Sequence, residues 1–229
     1  METLIKTRRY SADLHPNKKT VYIIPNQDER CTDAEAFEPR RRQSYRDAEG
    51  LVNFYEDADP AKDKYWRERI GKYLWVHVVK EDMRRKGIPV SASPDTFILA
   101  AYPKHYKLWI HKKGDPANPR TDHYLFGSRF VDRFRSPAEF FLHMKWILEG
   151  MPMKGPGQPD CQCCYCDGSR PQGEISQAFG VYHPHRRDRG GGDDKGGGKG
   201  GGKGAKPRSP TSTTIPFKDY TKLNLPPSS

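Results

Sequence analysis

Folding of this chain is limited first by where it stops being able to bury anything. From Arg186 to Ser229 hydrophobic periodicity is lost: a lysine-punctuated glycine run spans Gly190 to Gly204, and a Pro-, Ser- and Thr-rich end follows. Such a stretch cannot remove enough apolar surface from water to offset the entropy of ordering it, so residues 186–229 are expected to form a disordered Gly/Lys/Pro-rich basic tail. Whatever folds must fold from residues 1–185, which hold all four tryptophans and all five cysteines of the 229-residue chain. A hydrophobic content of 34% is low for a compact domain, so the first sixty residues are expected to be only partly ordered. The chain thus divides into a charged region at 1–58, an α+β domain at 59–185 and the tail at 186–229.

Charge and cysteine usage narrow the class of protein. The formal charge is +11, of which +6 lies on residues 186–229 and +5 on the remainder. A basic balance favours polyanionic partners, nucleic acid or acidic protein surfaces, although a tail of this kind also serves as a plain solubilising extension. No apolar run approaches the length needed to span a bilayer, and the polar start METLIKTRRYSADLH lacks the apolar core of a signal peptide. An intracellular protein with no membrane contact is the expectation. In a reducing compartment, four cysteines within six residues point to metal ligands or reactive thiols before disulfides.

The coarse architecture follows from periodicity and caps. VYII at 21–24, closed by Pro25 and Asn26, reads as a short strand. Asp59 followed by Pro60 reads as a helix start, with Trp66, Ile70, Leu74 and Val78 on one face, so a helix should run to about Arg85, with Gly71 a candidate break. Residues 96–101 and 106–111, split by Pro103, read as two strands, and His123–Gly127 as a third. The sharpest local signal is Ser136 as N-cap, Pro137 at the first helical position and Glu139 three residues after the cap. The helix that follows places Phe140, Phe141, Met144, Ile147 and Leu148 on one stripe, and Gly150 is a natural stop. With no internal repeat, the expected fold is one small mixed α+β domain with a capped amphipathic helix and a Cys-rich loop.

That loop carries the candidate chemistry. CQCCYC at 161–166 contains C-x-C-x-x-C through Cys161, Cys163 and Cys166, with Cys164 as an extra thiol. Zinc takes four S or N ligands in a tetrahedron, and C-x-x-C turns bring two thiolates to one ion. Adjacent Cys163 and Cys164 point in different directions, so the fourth ligand is sought elsewhere. His143, on the preceding helix, is the first choice. The residues between Gly150 and Cys161 can extend over roughly 35 Å, so spacing alone does not choose between His143, His183, His185 and Cys164. A helix-edge histidine satisfied by a backbone carbonyl is the plain alternative, and a redox-sensing thiol cluster competes with zinc. A closed site without a spare coordination position would be structural.

Catalysis finds little support. No phosphate-binding glycine loop, G-x-S-x-G elbow or H-E-x-x-H pair occurs, and Asp122 and His123, adjacent on a strand, point to opposite faces. No small-molecule substrate is implied. Basic and aromatic residues interleave in KYWRERIGKYLW, YPKHYKLWIHKK and RFVDRFR, which suits base stacking and phosphate contact. The same alternation arises from an element with an aromatic core face and a solvated basic face. Weak, salt-sensitive DNA binding by the tail is a further expectation.

Three segments in order, RTDHYLFGS at 120–128, FRSPAEFFLHMKWIL at 134–148 and CQCCYC at 161–166, resemble the amino-terminal block of the fungal cryptic loci regulator 2 family. The resemblance covers mainly residues 95–170; Leu142 stands where the family tends to have proline, and Cys164 is additional. The resemblance implies a nuclear, non-enzymatic subunit of a silencing complex that joins histone deacetylation and nucleosome remodelling at heterochromatin. Deacetylase and remodeller subunits would then be its partners.

Overall fold

The computed structural model of the chain describes residues 1–35, 46–89 and 94–180. These belong to a compact unit, Met1–His183; the expected tail at 186–229 and the candidate ligands His183 and His185 lie outside the described residues. Three strands come first: β1 (Glu2–Lys6), β2 (Tyr10–Leu14) and β3 (Thr20–Pro25), paired in antiparallel order. In β2 and β3 every second residue is buried, so Tyr10, Ala12, Leu14, Val21 and Ile23 face one core. A fourth strand, β4 (Val52–Asp57), precedes the first helix.

That helix, α1, spans Pro60–Leu74, with Asp59 as N-cap accepting from the Lys62 amide at 2.8 Å. Seven of its fifteen residues are charged, so burial of the expected stripe, Trp66, Ile70, Leu74 and Val78, must hold it in place. Fully burying four such side chains is worth roughly 6–12 kcal/mol gross, an upper bound because the unfolded chain already buries part of them. Gly71 does not break the helix. A Cβ there would lie 2.7 Å from the Phe97 carbonyl oxygen and 2.8 Å from the Leu99 amide nitrogen, so glycine lets α1 lie directly on the next strand. The helix instead loosens into a π turn at Trp75–Val79 before α2 (Lys80–Arg85), a shift that keeps Trp75, Val78, Val79 and Met83 all buried.

Residues 96–126 supply three more strands. β5 (Thr96–Leu99) adds to β3 in parallel, giving the sheet order β1-β2-β3-β5. β6 (Lys107–Gly114) and β7 (Arg120–Phe126) pair antiparallel and join β4 in a second sheet ordered β4-β6-β7. The sequence reading set residues 1–58 apart, yet their strands complete both sheets and their apolar side chains enter the same core as α1. Small and polar residues between the core positions, such as Ser11 and Asp13, mask a strand whose inner face is fully apolar.

Helix α3 (Pro137–Leu148) begins as the capping signal requires: the Glu139 amide donates to Ser136 Oγ at 3.2 Å, and Glu139 Oε2 accepts from the Arg135 amide at 2.6 Å. A single amphipathic stripe was expected. The helix is instead buried on nearly every side, Leu142, His143 and Trp146 included, because α1 and α4 (Gln172–Ala178) pack on it and the cysteine loop covers the rest. It ends at Gly150, φ 102°, and Met151, φ 59°, with the Met151 amide returning to the Trp146 carbonyl at 2.9 Å. A short hairpin, β8 (Met153–Gly155) and β9 (Gln158–Pro159), leads into the cysteines. No helix among the described residues is long and apolar enough to cross a membrane.

Replacing Gly71 with alanine forces α1 away from backbone atoms of β5 that have no rotamer to change. The expected cost is about 1–3 kcal/mol, read as a lower urea midpoint with an unchanged slope.

Candidate metal centre

The hairpin delivers Cys161, Cys163 and Cys166 onto the side of α3 that carries His143. Cys161, Cys163 and His143 are buried and Cys166 is half-buried. Their sulfurs lie 3.5, 3.9 and 3.5 Å from His143 Nδ1, in chain order. All four ligand atoms fall within 4.8 Å of one another. A ring nitrogen carries at most one proton, so three sulfurs gathered on one nitrogen cannot all be its hydrogen-bond partners. A tetrahedral zinc ion with bonds of about 2.3 Å to sulfur and 2.0–2.1 Å to nitrogen sets S···N edges of roughly 3.5 Å and S···S edges of roughly 3.8 Å. The donor set and its spacing therefore fit a zinc ion, and with four protein ligands the sphere would be closed.

The loop is built for this convergence. Trp146 Nε1 donates to the Pro152 carbonyl at 2.8 Å and the Asp160 amide donates to the same oxygen at 2.9 Å, pinning both ends of the hairpin to α3. The Cys166 amide points at Cys163 Sγ, 3.4 Å away. Phe134, Phe140 and Trp146 wall the imidazole, with ring centroids 5.1, 6.3 and 5.1 Å from it. Cys164 is not among the clustered ligands: it is half-buried, and burial pushes its thiol up to about 12. All five cysteines are free thiols.

The far side of His143 holds a residue that the sequence reading missed. Asp33, 3% exposed, places Oδ2 3.2 Å from His143 Nε2. Tyr106 and Ser128 hydroxyls donate to its two carboxylate oxygens, each at 2.6 Å. With Nε2–H given to the carboxylate, the lone pair of Nδ1 points at the sulfurs, the tautomer that a metal ligand needs. The expected carbonyl partner for a helix-edge histidine is thus replaced by a buried carboxylate, and His143 itself is fully enclosed. No local pattern marks Asp33, one of many acidic residues in its loop; only the tertiary fold shows its role.

Charge in the cluster is correspondingly tuned. Burial pushes the His143 imidazole down, but Asp33, Cys163 and Cys166 outweigh it and hold the ring well above its ordinary range. Burial likewise opposes the Asp33 anion, and His143, Ser128 and Tyr106 reverse that to a net lowering. Hydrogen bonds from Cys161 and Cys166 favour the Cys163 thiolate, while the same sharing and burial drive Cys161 up. Carboxylate and thiolate together favour the imidazolium, whose Nδ1 proton a bound zinc ion would displace.

The fold supplies Asp33 by way of the 120–128 segment. The Glu35 amide donates to the Gly127 carbonyl at 3.1 Å, and Ala34 bridges Ser128. Gly127, φ 146°, leaves room for the Tyr106 ring, which a Cβ would approach within 2.8 Å. Arg9 ties the same loop to the end of α3, donating to the Arg30 carbonyl at 2.6 Å and the Gly150 carbonyl at 3.4 Å.

Residues 97–166 match the family described as transcription-silencing protein, cryptic loci regulator Clr2. The resemblance lies in this segment. It holds His143, all three clustered cysteines, Tyr106 and Ser128, but not Asp33. One solved structure, described as "Structure of Clr2 bound to the Clr1 C-terminus", is 18% identical with a TM-score of 0.38; the similarity covers 66% of this chain and 31% of that one. The chain thus spans under a third of that Clr2 chain. No curated protein matches it.

Asp33→Ala removes the acceptor for the buried Tyr106 hydroxyl, the part-buried Ser128 hydroxyl and a buried imidazole. A loss of about 3 kcal/mol is expected, measured by chemical denaturation, with Asp33→Asn retaining part of it.

Proposed function

We propose that the chain is a non-enzymatic adaptor of transcriptional silencing in the nucleus, its α+β unit braced by one structural zinc ion on Cys161, Cys163, Cys166 and His143. The observation that carries the metal is the convergence of three sulfurs on Nδ1 of a histidine oriented by Asp33. A closed sphere of four protein ligands leaves no position for a substrate, so the ion would supply cross-linking rather than chemistry. The silencing role is supported by the family description attached to residues 97–166. On this reading the unit docks deacetylase and remodeller subunits at heterochromatin, the role implied by the sequence resemblance.

Purified, folded protein is expected to carry about one zinc per chain, and less than about half an equivalent would remove the proposal. Cys161→Ser with Cys166→Ser should abolish zinc binding and lower the melting temperature, whereas Asp33→Ala should weaken zinc affinity about 10–100-fold. Affinity purification of the tagged chain from its own cells should bring down silencing-complex subunits, identified by mass spectrometry.

The charge of +6 on residues 186–229 favours a second, subordinate activity, weak DNA binding. Deleting 186–229 should abolish DNA affinity measured across salt while leaving partner recovery intact. DNA affinity that survives the deletion would place a nucleic-acid surface on the folded unit.

A further inference from the structure

β7 is an edge strand of the β4-β6-β7 sheet. Its upper part is closed by Phe134, whose amide and carbonyl exchange hydrogen bonds with those of Leu125, both at 2.9 Å. In an antiparallel pair, hydrogen bonding alternates from residue to residue. The backbone groups of Leu125 point away from β6, so those of His123 and Thr121 do as well. Among the described residues nothing pairs with them on that side.

Two recesses adjoin this open stretch and share Asp122, His123 and Arg135 in their walls. The first, about 220 Å³, is lined by Arg120, Asp122, His123, Tyr124, Arg133 and Arg135. The second, about 260 Å³, combines Lys62 and Arg135 with the apolar walls of Tyr65, Trp66 and Pro137. Across both recesses four cations face one carboxylate, Asp122, which Arg120 already neutralises at 2.9 Å. Among the described residues Lys62 and Arg135 form no ion pair. His123 Nε2, between the recesses, is a buried nitrogen without a hydrogen-bond partner.

We propose that the edge of β7 at Thr121 and His123 receives an extended acidic segment of a partner protein as an added strand. Side chains of such a strand alternate between the two faces. Acidic residues would meet Arg133 and Arg135 on the polar side, and apolar residues would fill the recess against Tyr65, Trp66 and Pro137. The inference rests on the adaptor reading and names the chemistry of what is adapted. Free strand edges favour a peptide over a nucleic acid, because outward N–H and C=O groups at strand spacing match another backbone and not a phosphate chain.

The test uses the full chain and a fluorescein-labelled ten-residue peptide of alternating Glu and Val, followed by anisotropy. The basic tail attracts any acidic peptide, so the decisive control has the same charge: the same peptide N-methylated on every second amide, made in both registers. The parent peptide is expected to bind at least about tenfold more tightly than the weaker methylated form. Thr121→Pro keeps the sheet, since proline is tolerated where an edge N–H faces outward. It should reduce the parent peptide to the methylated level at an unchanged melting temperature. Lys62→Glu with Arg135→Glu should weaken the parent at least about fivefold and flatten its salt dependence. Equal binding of parent and both methylated peptides, or undiminished binding to folded Thr121→Pro, overturns the proposal. So does displacement of the peptide by a ten-nucleotide oligothymidine that depends on Arg135 but not on Thr121. If Thr121→Pro still recovers every cellular partner, the edge is not the docking site and the adaptor reading stands. If peptide binding depends on Thr121 while no silencing subunit is recovered from cells, the edge stands and the silencing role falls.

Discussion

The contact on which the rest depends is the one between Asp33 and His143. A buried carboxylate and a buried imidazole are each costly to strip of water, and the cost is offset only because every polar atom of the pair finds a partner. Asp33 takes two hydroxyl donors and the Nε2–H; His143 spends its remaining nitrogen on the sulfurs. The pair therefore joins three parts of the chain that lie far apart in sequence: the loop after β3, the middle of α3 and the cysteine loop after β9. Helix α3 brings its own buried side chains, but the two loops have little core of their own. The cysteine loop in particular contributes few apolar side chains and is held to α3 by sulfur, by Trp146 and by the Pro152 carbonyl.

Legibility in the sequence followed the range of the interaction. Asp59 and Ser136 as caps, the Trp66-to-Val78 stripe and the strand read at 21–24 are set by residues within a turn or two of one another; the caps and stripe stand where the pattern put them, and the strand runs one residue further at each end. The cysteine spacing is likewise a local pattern, but spacing alone left His143 beside three other candidates, and it is the fold that gathers its ring with the three sulfurs. What escaped is what tertiary burial decides. β1, β2 and β4 interleave polar residues with few apolar ones, and the parallel pairing of β3 with β5 links strands more than seventy residues apart. Gly71 looked like a helix break from propensity alone; its true constraint is the β5 backbone pressed against α1. Asp33 could not be distinguished from its acidic neighbours until the fold placed it beside His143.

The segments that carried the family resemblance acquire a physical reading from this arrangement. In RTDHYLFGS, Gly127 admits the Tyr106 ring and Ser128 donates to Asp33, so part of the motif orients the carboxylate. In FRSPAEFFLHMKWIL, Phe134 and Phe140 wall the imidazole, Ser136 caps the helix and Trp146 anchors the hairpin. Such residues look like core or cap positions taken singly. Together they surround one centre.

A centre assembled this way also sets the size of the folding unit. The matched stretch, residues 97–166, contains every sulfur and nitrogen of the cluster but neither Asp33 nor β3 and β4, which pair with β5 and β6. Cut to that stretch, the chain would leave His143 Nε2 without its carboxylate, β5 without β3 and β6 without β4, exposing two strand edges and orphaning one buried nitrogen at once. Loss of a sheet partner removes ladder hydrogen bonds and the apolar face of Val21 and Ile23 beneath α1. Residues 1–35 are therefore as much part of the centre as the cysteines are, although no metal-binding pattern announces them.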